Sequence, residues 1–108
     1  MNKKASITDP IILEFKKRLL ERFPGIVRHV FLYGSRARGD FERESDYDLI
    51  ILVDKASKDL EERICVMAWD MGFEHHISIS VLVFEQRLFE TDLYEPLFMN
   101  VRREGVAV

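Results

Sequence analysis

Tyr33-Gly34-Ser35-Arg36-Ala37-Arg38-Gly39 and, after ten residues counted from Ser35, Asp46-Tyr47-Asp48-Leu49-Ile50-Ile51-Leu52-Val53 are the segments on which the reading of this 108-residue chain turns. Ile26 to Tyr33 is rich in β-branched and aromatic residues and reads as a strand. It runs into a Gly-Ser turn. Leu49 to Val53 is a continuous apolar run, the pattern of a strand buried on both faces. A strand that ends in a glycine turn and a second strand that begins with two aspartates imply a layered α/β fold with a functional edge.

The flanking segments supply the helices. Thr8-Asp9-Pro10 is a helix start, with a cap candidate before a first-turn proline. Ile12, Phe15, Leu19 and Phe23 then recur at helical spacing until Pro24-Gly25 closes the segment. A second helix is expected from Ser57, with Leu60, Ile64, Met67 and Met71 as its buried stripe and Gly72 at its end. Ile77 to Phe84 reads as a third strand, and a short helical turn follows near Arg87 to Asp92. Pro96 to Glu104 is a last helix with Gly105 just past it. The expectation is one α/β domain over residues 1–108, α+β in some schemes, with a small mixed sheet of about three strands and packed helices.

Composition narrows the function classes. Apolar residues make up 47 % and charged residues 32 %, and the net charge is −3. That is the balance of an ordinary globular domain without the basic footprint of a nucleic-acid binder. No apolar run approaches the ~20 residues of a bilayer span, and the N-terminus lacks the apolar stretch of a signal peptide, so a cytoplasmic location is expected. The single cysteine, Cys65, excludes an internal disulfide framework and a multi-cysteine zinc site, and its apolar helical surroundings predict a small core residue.

Residues two apart on a strand share a face, so Asp46 and Asp48 project together and Tyr47 opposes them. Aspartate is depleted in strands, and two adjacent carboxylates repel. Hard oxygen donors in this arrangement suit Mg²⁺ or Mn²⁺. At the turn, Gly34 permits positive φ and close approach of a ligand. Ser35 offers a hydroxyl, the following N–H groups can form an anion-binding nest, and Arg36 and Arg38 are cationic donors. From Tyr33 to Asp48 there are three arginines against five acids. Such a segment repels a triphosphate unless a cation bridges the two.

Gly34-Ser35, ten residues and Asp46-x-Asp48 together resemble the signature of the DNA polymerase β-like nucleotidyltransferase superfamily. The Gly-Ser-Arg-Ala-Arg-Gly wording, the short length and the ending Pro96 to Gly105 resemble its minimal nucleotidyltransferases, some of which are antitoxins paired with a helical HEPN-domain toxin. The resemblance implies the polymerase β-like fold, Gly34 and Ser35 at the nucleotide phosphates with Arg36 and Arg38 beside them, and Asp46 and Asp48 as ligands of Mg²⁺. It further implies ATP or another nucleoside triphosphate as substrate, transfer of a nucleoside monophosphate, chiefly AMP, and a HEPN-type partner protein as acceptor. A homodimer is compatible with a small domain bearing a shallow site.

Active members of the superfamily generally carry a third carboxylate on a later strand. Here that segment is Glu74-His75-His76-Ile77-Ser78-Ile79-Ser80-Val81. By alternation Ser78 and Ser80 face the site, opposite Ile77, Ile79 and Val81. Glu74 and His76 fall on the same parity, Glu74 as an alternative ligand and His76 as an alternative proton acceptor, although a polar start to a strand explains both. Two readings stay open, a transferase and a nucleotide-binding antitoxin or regulatory module that acts by complex formation. Met67, Trp69 and Met71 are expected in the core, His29 in a structural role, and Tyr33 and Phe41 as packing residues beside the site. Lys3, Lys4, Lys16, Lys17 and Arg18 read as a solvated basic face.

Overall fold

The computed structural model describes residues 9–38 and 46–108, without the side chains of Ser35 and Arg38. Helix α1 spans Pro10–Arg22. Asp9 caps it, its Oδ1 accepting from the N–H of Ile11 at 2.9 Å and of Ile12 at 3.4 Å. Strand β1 is Val27–Tyr33, and Ser35–Arg38 forms a single helical turn, α2. Strand β2 is Tyr47–Val53. Helix α3, Lys58–His75, starts on the Ser57 hydroxyl, which accepts from the Leu60 N–H at 3.1 Å. Strand β3 is Ile79–Glu85, followed by α4, Gln86–Thr91, and α5, Pro96–Glu104, which the Glu95 side chain caps.

A fourth strand, β4 (Val106–Ala107), adds to the three expected. It pairs antiparallel with β1 at Phe31 and Leu32, which makes the sheet order β3-β2-β1-β4. The sheet is mixed: β1 and β2 are antiparallel and β2 and β3 parallel. β2 is thus central, and its residues Leu49 to Val53 are all buried, as a strand covered on both faces requires.

Helices α1 and α3 cover one face. Ile12, Phe15 and Leu19 meet Ile64, Ala68 and Met71 over Val30, Leu32, Leu49 and Ile51. The other face carries Ile50 and Leu52 under Val101 of α5, with Phe31, Tyr33, Phe84 and Phe89 packed against them. Phe98 joins edge-on to Phe84 and Phe89, at centroid distances of 5.0 and 5.3 Å. On this second face the apolar residues of β2 give way, toward its start, to Asp48.

Several placements correct the sequence reading. α3 runs three residues beyond Gly72, and its cap is His76 in the left-handed conformation (φ 54°, ψ 44°). Cys65 is exposed rather than in the core; the partial burial it does have, together with the charges of Glu61 and Glu62, raises its thiol pKa. Trp69, expected in the core, is 76 % exposed, whereas Met71 is fully buried and Met67 partly so. Lys3, Lys4 and Phe41 lie outside the described residues. Among the described residues no helix is long and apolar enough to cross a membrane.

Candidate active site

The turn and the carboxylates meet where β1 ends and β2 begins. Tyr33 is directly opposite Asp48 in the antiparallel register, so the chain leaves β1 beside that aspartate. Gly34 has φ +76°, a conformation that disfavours any residue with a Cβ. A Cβ built on it would stand 2.6 Å from Asp48 Oδ2. Glycine is therefore required twice, by the turn and by the carboxylate against it.

Asp48 is half-buried, and Asp46 is exposed just before the strand. Burial first, and the charge of Asp46 second, push the Asp48 carboxyl pKa above its ordinary value. Tyr33 is raised in turn by burial and by the charge of Asp48. A half-buried carboxylate held back from ionising, with a second carboxylate beside it, is a hard-oxygen donor set that fits a divalent cation such as Mg²⁺ or Mn²⁺. On the other side of β2, Asp48 is in register with Ser80 and shares its face. For Ser80 the face read from the sequence is thus the observed one; Ser78 precedes the strand. Among the described residues no group of three or more His, Cys, Asp or Glu is placed to hold a metal.

Glu74 and His76 do not lie on the strand. Glu74 is in the last turn of α3, where its carboxylate meets Arg18 at 3.3 Å, and His76 is the helix cap. The alternation that grouped them with Ser78 and Ser80 ends before β3 begins. His76 nevertheless lines an open cleft of about 940 Å³ together with Arg36, Asp46, Trp69, Phe73 and Ser78. His29 is on the exposed surface of β1, its Nε2 3.5 Å from the Gln86 side-chain amide.

Two participants, Asp9 and Tyr47, escape a reading of the sequence. The Tyr47 hydroxyl donates a short hydrogen bond to Asp9 Oδ2. The Arg36 guanidinium sits over the Tyr47 ring, its carbon 3.9 Å from the centroid, with Nη1 4.0 Å from Asp9 Oδ2. Burial, the bond to Asp9 and the charge of Asp9 push the Tyr47 pKa up to about 12, against the lowering effect of Arg36. The hydroxyl is therefore a donor at any ordinary pH. In the sequence Asp9 signals only a helix cap, and no local signal links residues this far apart in the chain.

A family model for the nucleotidyltransferase domain matches residues 12–98, a span that holds the turn, both aspartates and the whole of β1 to β3. The chain belongs to the nucleotidyltransferase-domain family. Two Methanocaldococcus jannaschii proteins are similar to it. "Putative protein adenylyltransferase MJ0604" is 30 % identical over 87 % of this chain and 90 % of that protein. "Putative protein adenylyltransferase MJ0141" is 36 % identical over 72 % and 80 %. Among solved structures, a chain of a toxin–antitoxin crystallised with AMP-PNP superposes with a TM-score of 0.62 at 15 % identity, covering 87 % of this chain and 69 % of that one. A chain of the toxin–antitoxin MntA-HepT gives 0.54 at 13 % identity, over 89 % and 69 %. At such identities the likeness is one of fold. It agrees with the resemblance to minimal nucleotidyltransferases that the Gly34-Ser-Arg-Ala-Arg-Gly39 wording, the short length and the Pro96 to Gly105 ending carry.

Proposed function

We propose that this nucleotidyltransferase-domain protein moves AMP from Mg²⁺-bound ATP onto a partner protein, and that the partner is a helical toxin of the HEPN type. The observation that carries the reading is the apposition of Gly34 and Asp48: the turn suited to phosphate lies so close to the carboxylate suited to metal that a Cβ on Gly34 would stand 2.6 Å from Asp48 Oδ2. Gly34 and Ser35 would receive the phosphates, with Arg36 and Arg38 as neighbouring cations. Asp46 and Asp48 would hold the divalent cation. Bound there, that cation would offset charge on the α-phosphate and on the departing pyrophosphate. The acceptor hydroxyl attacks the α-phosphorus, the bond to the β-phosphate oxygen breaks, and the acceptor proton leaves to solvent or a nearby base. The relatives described as protein adenylyltransferases and the toxin–antitoxin folds support a protein acceptor.

The complex of this chain with its helical partner, incubated with Mg²⁺ and α-labelled ATP, should acquire label on the partner and a mass increase of one AMP. Asp46→Asn should abolish both while the circular dichroism spectrum is kept. A folded wild-type protein that neither binds the nucleotide with Mg²⁺ nor labels its partner refutes the reading.

A second reading rests on Ser80. In the register position beside Asp48, where a third carboxylate would complete a metal site, stands a hydroxyl. In that case the chain binds nucleotide and neutralises its partner by complex formation, without turnover. Neutralisation with no adduct on the partner selects this version.

A further inference from the structure

The pairing of β1 with β2 sets the first residue of the turn, Gly34, against Asp48. Tyr47 adds a second tie between the turn and the carboxylate strand. It lies between Asp46 and Asp48, but strand alternation sends its side chain to the opposite face, where it is 3 % exposed. There it meets Arg36, two residues after Gly34. The Arg36 side chain is only 7 % exposed, stacked on the ring and next to Asp9. The Asp9 carboxylate is itself oriented by three donors, the N–H groups of Ile11 and Ile12 and the Tyr47 hydroxyl.

Three segments of the chain therefore converge on one side-chain assembly: the start of α1, the turn and the carboxylate strand. A flat guanidinium between a ring and a carboxylate has little freedom to move, and its desolvation strengthens both contacts. Nucleotidyl transfer depends on where phosphates stand relative to the metal carboxylates, and displacements of an ångström cost large factors.

We propose that Tyr47 is a positioning residue: through Arg36 stacked on its ring and Asp9 bonded to its hydroxyl, it sets where the Gly34–Arg38 turn stands relative to Asp46 and Asp48. The inference rests on the nucleotide reading above. It differs from a direct phosphate role for Arg36, in which Tyr47 and Asp9 would be immaterial to nucleotide affinity. It also differs from a purely structural role, in which their loss would lower the melting temperature and leave the affinity of the folded protein unchanged.

The test is calorimetric titration with Mg²⁺ and the α,β-methylene analogue of ATP, below the melting temperature of every variant. Tyr47→Phe keeps the ring and removes only the hydroxyl. Asp9→Asn keeps a cap acceptor and removes the charge that faces Arg36. Each should raise Kd about fivefold, the order of one lost hydrogen bond or charged contact, and Arg36→Gln about tenfold, the order expected for one desolvated stacking contact. Combining Tyr47→Phe with Arg36→Gln should cost no more than Arg36→Gln alone, because both changes disable one assembly. In the proton spectrum, the Arg36 side chain should show an upfield ring-current shift in wild type and Tyr47→Phe that Tyr47→Leu loses. Asp46→Asn separates the two levels of inference. If wild type shows no binding that depends on Asp46, the nucleotide reading falls and this one with it. If that binding is intact and Tyr47→Phe and Asp9→Asn stay within twofold of wild type, or the double variant is fully additive, the positioning role alone is overturned.

Discussion

Gly34→Ala puts a methyl group where the structure has least room for one. Two costs are expected, and a second glycine separates them. Gly34 and Gly25 have nearly the same backbone angle, φ +76° and +75°. A Cβ on Gly25 meets nothing within 4 Å, whereas one on Gly34 stands 2.6 Å from Asp48 Oδ2, 0.8 Å short of the 3.4 Å at which ordinary contact begins. Gly25→Ala therefore measures the left-handed backbone penalty alone, about 1–2 kcal/mol. In a domain of this size each kcal/mol lowers Tm by roughly 4–8 °C.

Gly34→Ala carries the same penalty and a second demand, that Asp48 or the turn give way. The carboxylate is the movable end of a side chain and the turn is backbone, so Asp48 yields. The added loss of stability should then be small, within about 1 kcal/mol, since Asp48 gains solvent as it rotates away. The loss at the site should be large. A carboxylate displaced by most of an ångström weakens the metal–nucleotide complex tenfold or more. Thermal melts of both variants, paired with titration of Mg²⁺ and the α,β-methylene analogue of ATP, give the two numbers. Gly25→Ala should melt lower and bind as wild type. Gly34→Ala should melt similarly and bind at least tenfold more weakly. Equal affinity in the two variants would mean that the Gly34–Asp48 contact has no part in nucleotide binding, and the observation carrying the functional reading would be lost.

Asp48→Asn should abolish Mg²⁺-dependent nucleotide binding and yet raise the melting temperature of the metal-free protein at neutral pH. The sign follows from its raised pKa: folding favours the protonated form, so the contribution of Asp48 is complete below the unfolded carboxylate value near 4 and lost as pH rises through its higher folded value. The advantage of the asparagine variant should vanish in melts carried out below that value, and persistence there would refute the assignment. Ser80→Asp places a carboxylate in register beside Asp48; it should lower the metal-free Tm and enlarge the increase in Tm that Mg²⁺ produces, and an unchanged Mg²⁺ response would remove Ser80 from the site. Ser57→Ala removes the cap of α3 and should cost about 1 kcal/mol in chemical denaturation, with nucleotide affinity unchanged because α3 begins away from the turn.

What is legible in the sequence is local. The starts of α1 and α5 are written in Asp9-Pro10 and Glu95-Pro96, where a cap acceptor precedes a proline, and both helices begin there. Central β2 is written in five consecutive apolar residues, and the position of Asp46 and Asp48 at its start follows from spacing alone. The structure departs from expectation where a pattern has two solutions. From Ile64 to Trp69 the residues are apolar all round, so helical period alone cannot choose the buried side; the sheet chose Ile64 and Ala68 and left Cys65, Val66 and Trp69 outward. Gly72 has the composition of a stop, but its bareness serves close packing, since a Cβ there would lie 2.5 Å from the Ile77 carbonyl oxygen. A two-residue strand such as β4 has no period to read.

The harder case is a residue with two roles. Asp9 satisfies the N-cap rule so completely that nothing in the sequence prompts a search for a second function. One carboxylate oxygen is enough for the cap, however. The second is left to accept from Tyr47 and to face Arg36, 38 and 27 residues away in the chain. A cap that needed only helix stability could be met by serine or threonine as well as by aspartate. Besides favouring the helix N-terminus, the charge at position 9 faces Arg36 of the turn, and Asp9→Ser, which preserves the cap and removes the anchor, is the substitution that tells the two roles apart.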